Sequence, residues 1–253
     1  MANDKKRVHE NNLTLIRSLI TKHKKHDHIF AGVGMFIIIS LTITLLVLFL
    51  DLVFDGYPRF NLDFLTNFPS RRATAAGILS AWIGSALVLI VTFFAAVPLG
   101  IAAGVYLEEY AKKNWFSDLI EINVTNLAGV PSIIYGLLAL GLFVYSFGLG
   151  QTILTAGLTL ALLMLPIVIV ATREAIRAIP IHIREAAYAV GATKWQVSLH
   201  HVIQYSYGGI LTGVIIGMAR AIGETAPIIT IGALTFIAFL PPSPVGLEPP
   251  FIN

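Results

Sequence analysis

The chain has 253 residues, 56% hydrophobic and only 12% charged, against about 25% charged in soluble domains. Its mean hydropathy is +0.80, and its apolar runs are helix-length rather than the alternating ten-residue strands of a barrel, so it reads as an α-helical integral membrane protein. With no cysteine, disulfides, thiolate metal sites and thiol nucleophiles are excluded. The net charge of +3 reflects basic loops and not nucleic-acid binding.

Residues 1–28 form a basic tail with seven Lys/Arg: Lys5, Lys6, Arg7, Arg17, Lys22, Lys24 and Lys25. Residues 30–50 are uncharged, so a retained first span is expected over 29–52; a signal peptide would have a shorter apolar region and a small-residue cleavage site. A loop follows at 53–72. Residues 73–107 are uncharged and predict a span near 76–107, kinked at Pro98 and Gly100. Residues 122–172 are also uncharged, enough for spans near 123–146 and 152–172 around a turn at 146–151. The last apolar segment, 206–240, is expected to break at Pro227.

Loop charges set an orientation. The basic tail and the 173–204 loop, with Arg173, Arg177, Arg184 and Lys194, are assigned to the inside. The 53–72 and 241–253 segments fall outside. Five spans result, N-terminus in.

The 173–204 loop has a helical pattern. Ile183, Ala186, Ala187 and Val190 recur at three- and four-residue spacing after Pro180. Gly191 supplies a stop, and Thr193 with Gln196 fits a capping box. A helix–turn–helix with small residues at its bend and an exposed Trp195 is expected. It reads either as an interfacial element on lipid headgroups or as a docking knob, with Glu185 as an anchor for a basic residue.

Arg220 and Glu224 are the only charges between 208 and 240. An ionisable residue inside a membrane costs roughly 2.5–3.5 kcal/mol on insertion scales, which marks such a pair as a functional site by default. The i, i+4 spacing places both on one helical face. Thr225 adds a hydroxyl, and Gly223 allows close approach. Other signals are weaker. His23, His26 and His28 are interleaved with lysines that oppose a cation, so no metal site is assigned. Glu108 and Glu109 read as a solvated face. No G-x-x-x-x-G-K-[ST] loop exists, so the chain does not itself bind ATP. The spans carry no clustered His, Asp or Glu of the kind a membrane-embedded enzyme needs.

Glu185-Ala186-Ala187 with Gly191 four residues on resembles the EAA loop of binding-protein-dependent ABC importer permeases. Where that family has Leu-Pro, this chain has Ile203 and Gln204. LGIAAGVYLEEY (99–110), LAGVPSIIYGLL (127–138), ARAIGETAP (219–227) and GALTFIAFLPP (232–242) are similar to the permease A subunits of phosphate importers. The resemblance covers about 73–242. It implies an all-α polytopic bundle of the type I ABC importer kind over 73–253, with five spans visible and a sixth expected but absent. It further implies a bacterial inner-membrane subunit paired with a homologous permease C subunit. Two copies of an ATP-binding subunit would dock at Glu185, Ala186, Ala187 and Gly191, and a periplasmic phosphate-binding protein would deliver the substrate. On this reading Arg220 contacts phosphate in transit, with Glu224 and Thr225 beside the path. The chain would be no enzyme and would hold no cofactor, ATP being bound by the partner. Other oxyanions (sulfate, molybdate, phosphonate), a membrane-embedded enzyme and a phosphate-signalling scaffold are the alternatives.

Overall fold

The computed structural model describes residues 2–72, 75–112 and 114–232, and before Asp27 it describes a side chain only at Lys24. Every regular element among them is helical. The chain divides into two units, Met1–Leu62 and Asp63–Asn253.

The first unit is dominated by one 55-residue helix, α1 (Ala2–Gly56), followed by a single 3-10 turn, Tyr57–Arg59. The expected tail and first span are therefore one continuous rod. Nothing before Gly32 stops it, because residues 2–31 contain neither Pro nor Gly, the two residues least favourable inside a helix. Its span-length part, Asp27–Arg59, buries no side chain.

In the second unit, α2 (Leu62–Thr66) and α3 (Leu79–Val105) come first. The Trp82 indole donates to the Leu65 carbonyl at 3.1 Å and ties the two together. α3 continues through Pro98 and ends in a π-helical turn, Tyr106–Tyr110. α4 (Trp115–Leu127) and α5 (Ser132–Ala139, prolonged by a π-helical segment, Leu140–Ser146) follow. Then come α6 (Ile153–Arg177), α7 (Ile181–Ala189), α8 (Lys194–Val197, with a π turn at Ser198–Val202), α9 (Ile203–Gly223) and α10 (Ala226–Thr230).

α6 is the axis of the bundle, and small residues bring its neighbours close. A Cβ at Gly100 would fall 2.7 Å from Val168 Cγ1, one at Gly104 2.7 Å from Thr172 Cβ, and one at Gly157 2.5 Å from Val91. These contacts rise together in number, so α3 and α6 run parallel. On the other side Gly209 meets Ala175, Gly213 meets Ala171 and Gly217 meets Met164. Here the numbers run oppositely, so α9 is antiparallel. Ala96, Val97, Ala161, Met164, Val168, Ile210 and Val214 form the core between the three helices.

One expected span is not straight. The segment 123–146 is not one helix: α4 and Ser132–Ser146 meet at a bend of 103°. Pro131, which begins α5 at φ −55°, ψ 133°, lacks an N–H and disfavours a helical Val130. The part after the bend is at most about 22 Å long, short of a core of about 30 Å. Because α3 and α6 are parallel, this bent pair must bring the chain back from the end of α3 to the start of α6. The break expected in 206–240 at Pro227 lies at Glu224 and Thr225, just before that residue. The Pro227 ring excludes the carbonyl four residues before it, that of Gly223, and α9 stops there; residues 233–240 lie outside the described residues. By length and composition, four helices among the described residues can cross a membrane, five if the bent pair counts as one.

Candidate functional site

The expected helix–turn–helix forms at one end of the bundle. Pro180 starts α7, and Gly191 turns the chain at φ +86°. The capping box is complete: Thr193 Oγ1 accepts from Gln196 N–H, and Gln196 Oε1 accepts from Thr193 N–H at 2.8 Å. With no proline after it, α8 runs on through its π turn into α9, giving one 30-residue stretch, Lys194–Gly223. Ala187, expected with its neighbours at the docking surface, is instead buried, packed with Ile176, Ile179, Val197 and Val202, with Ile183 beside them. Glu185, Ala186, Gly191 and Trp195 remain exposed. Val190, expected on the apolar face, is instead 84% exposed, because it ends α7 with its backbone outside the helical region at ψ 10°.

Gly191 has open space around its Cα, so only its backbone conformation demands glycine. Gly191→Ala is expected to cost about 1–2 kcal/mol, and Gly191→Asn less, since Asn tolerates that region. Thermal unfolding in detergent checks the order.

The sequence reading missed a charge network beneath this hairpin. Glu108 and Glu109 are not a solvated face; their side chains are 20% and 8% exposed. Arg184 on α7 donates to Glu109 Oε1 from Nη2 at 2.8 Å and from Nε at 3.0 Å. It also donates to the carbonyls of Ile176 at 3.0 Å and Ile179 at 3.2 Å. Arg173 Nη2 lies 2.6 Å from Glu121 on α4, and its Nε lies 3.4 Å from Glu108. Arg177 bridges Glu108 and Glu121 at 3.0 Å each, with Glu174 at 3.2 Å. Lys194 lies over the Tyr110 ring, 4.9 Å from its centroid. The ends of α3 and α6 are thereby locked to α4, α7 and α8. One signal was available: Arg173 and Arg177 are four apart on α6, so one helical face presents two cations.

Arg220 and Glu224 lie toward the opposite end. Gly217 packs on Met164, nine residues before Arg173, so Arg220 is roughly 15–20 Å from the charge network. Arg220 Nε donates to Glu224 Oε1 at 3.3 Å. The expected shared helical face is corrected in one respect: Glu224 terminates α9 with extended backbone, φ −83°, ψ 117°, and the side chain reaches back. The Arg220 side chain is 43% exposed and that of Glu224 18%. Both Nη groups of Arg220 lack a protein partner among the described residues. Thr225 follows, exposed, at the start of α10. α5 closes one side: Tyr135 is buried within electrostatic reach of Arg220, and Gly136 lies directly against Pro227 and Thr230 of α10.

An ion-paired end and a paired arginine roughly 15–20 Å away, joined by one close-packed helix, suit a transport component. The family of binding-protein-dependent transport system inner membrane components matches residues 96–244, over half of the chain. The chain belongs to that family. Members of this inner membrane component family are transport subunits, not enzymes, and this one is an all-α, multi-pass membrane protein. Its relatives include the probable ABC transporter permease protein YqgI of Bacillus subtilis (strain 168), 31% identical over 80% of this chain and 69% of that protein. The phosphate transport system permease protein PstA of Mycobacterium leprae (strain TN) is 40% identical over 62% of this chain and 51% of that protein. PstA of Haemophilus influenzae is 32% identical over 81% and 73%. This inner membrane component thus spans from about half to three-quarters of the relatives it matches.

Proposed function

We propose that the chain is a membrane subunit of an ATP-driven importer of inorganic phosphate, forming half of the translocation path beside a homologous permease. The similarity to PstA proteins, 40% identity over 157 residues in the Mycobacterium leprae protein, carries this reading. The chemistry at Arg220 agrees with it. A guanidinium is permanently charged and binds two oxygens of an oxyanion at once, and here Glu224 engages only its Nε. The neighbouring carboxylate weakens the cationic field, so a bound anion can also leave.

A cytosolic ATP-binding subunit, present in two copies, docks on the exposed Glu185, Ala186 and Gly191, while a periplasmic phosphate-binding protein delivers the ion on the other side. The N-terminus is cytoplasmic. ATP-driven closure displaces α7, and the Arg184–Glu109 pair passes that displacement to α3 and α6. Parallel and close-packed, α3 and α6 carry it as a unit to the Arg220 region, and access alternates.

Arg220→Gln tests the reading. Phosphate uptake into cells lacking other phosphate importers is expected to fall at least tenfold, with the partner subunits still co-purifying. Lost co-purification assigns the pair to assembly. Uptake at the wild-type level removes Arg220 from the path. Uptake of labelled sulfate or molybdate that excess phosphate does not compete away would redirect the substrate to another oxyanion.

A further inference from the structure

α4 has a face that the transport reading does not use. With 100° per residue, Trp115, Leu119 and Ile122 fall within an arc of about 60°. All three are exposed, Trp115 at 74%. Opposite them Ile120, Val124 and Glu121 are half-buried, Glu121 held by Arg173 and Arg177 of α6. The two flanks differ: one carries the exposed Phe116 and Leu127 with Asn123, whose amide donates back to the Leu119 carbonyl at 2.7 Å, and the other carries Asp118 and Thr125; Asn126 lies among the three apolar residues. Trp115 and Phe116 pack edge-on at 6.1 Å, next to exposed Lys112.

Position and direction identify what covers this face. The ion pairs place α4 at the level of Glu108, Arg173 and Arg177, where the apolar lengths of α3 and α6 end. That is the level of lipid headgroups, since charges gather at the ends of spans and aromatic residues at the interface. The 103° bend sets α4 nearly perpendicular to Ser132–Ser146. We propose that α4 is an in-plane membrane-surface helix. Protein lies on its Val124 side and headgroups on its Trp115–Leu119–Ile122 side. Its Phe116–Leu127 flank faces the acyl chains, and its Asp118–Thr125 flank faces water. Such a helix carries its polar and apolar sides in this order when it lies at the interface.

The absence of cysteine permits a direct test. Single cysteines at Phe116, Leu119, Ile122, Leu127, Asp118 and Thr125 are spin-labelled in the full chain, purified with its bound subunits in lipid nanodiscs; signal from the unsubstituted complex is subtracted. At 116 and 127, collisions with oxygen are expected to exceed those with a water-soluble nickel chelate severalfold, and at 119 and 122 the two are expected to be comparable. At 118 and 125 the order is reversed. Chelate access at 119 and 122 equal to that at 118 overturns the proposal in favour of a water-exposed helix. Labels at 119 and 122 that are immobile and reached by neither reagent overturn it in favour of a protein partner.

Discussion

Alanine at Arg184 is expected to lower folded stability by about 3–5 kcal/mol, the cost of removing one member of a buried ion pair. Glu109, only 8% exposed, would be left a buried carboxylate with no counter-charge. The same substitution removes the Arg184 donor from the Ile179 carbonyl and from the Ile176 carbonyl, which keeps the Ile179 N–H at 3.2 Å, at the C-terminal end of α6, where helical carbonyls are short of partners. Glu109→Gln combined with Arg184→Gln is expected to be less damaging than either single change, because neither partner then remains charged alone. Thermal unfolding of the detergent-solubilised protein for both singles and the double supplies the cycle. An Arg184→Ala protein within about 0.5 kcal/mol of wild type, the range of ordinary surface changes, would show that the pair is solvated. Where the variant still folds, ATP hydrolysis by the assembled complex is expected to persist while phosphate uptake falls, because α7 would no longer move with α3.

The helical architecture was legible because its signals are local. Uncharged runs marked α3 and α6, Gly148 and Gly150 marked the turn between α5 and α6, and Pro180, Gly191 and the Thr193–Gln196 box marked the hairpin. All of these act through backbone rules within a few residues. The break in 123–146 was legible too, in Gly129-Val130-Pro131, but average apolarity over the run concealed it. A hydropathy window registers length and not direction, and a 103° bend changes only direction.

The charge network was harder to read for a different reason. Glu108 and Arg177 are 69 positions apart, Glu109 and Arg184 75, and nothing local joins them. Counting loop charges for orientation treated Arg173, Arg177 and Arg184 as solvated. Arg220 and Glu224 stood out because their surroundings in sequence are wholly apolar. Their pairing also survived a local misreading: the carboxylate reaches Arg220 from an extended residue beyond the helix end, since the side chain spans what the backbone does not.

Leucine at Gly213 is expected to destabilise the bundle by about 1–3 kcal/mol, the range for overpacking a close contact, and to abolish uptake. Gly213 lies directly against the Ala171 methyl, between Gly209 on Ala175 and Gly217 on Met164. Any side chain there must push α9 off α6, since the atom it meets is a short methyl on a packed helix and cannot rotate away. Gly208, on the same helix, has nothing within 4 Å of the position of a Cβ, so Gly208→Leu is not destabilising and gains up to about 0.8 kcal/mol from helix propensity. The two variants share composition, helix and added volume, and differ only in what the new side chain meets. Unfolding temperatures compared side by side therefore isolate the α6–α9 contact, and equal values would mean that the two helices are not close-packed. Uptake gives the functional half of the comparison. Arg220 lies two turns beyond Gly213 on the same helix, so separating α9 from α6 carries Arg220 and Glu224 away from Tyr135 on α5. If α9 separates yet uptake persists, the Arg220 region is not where the ion passes.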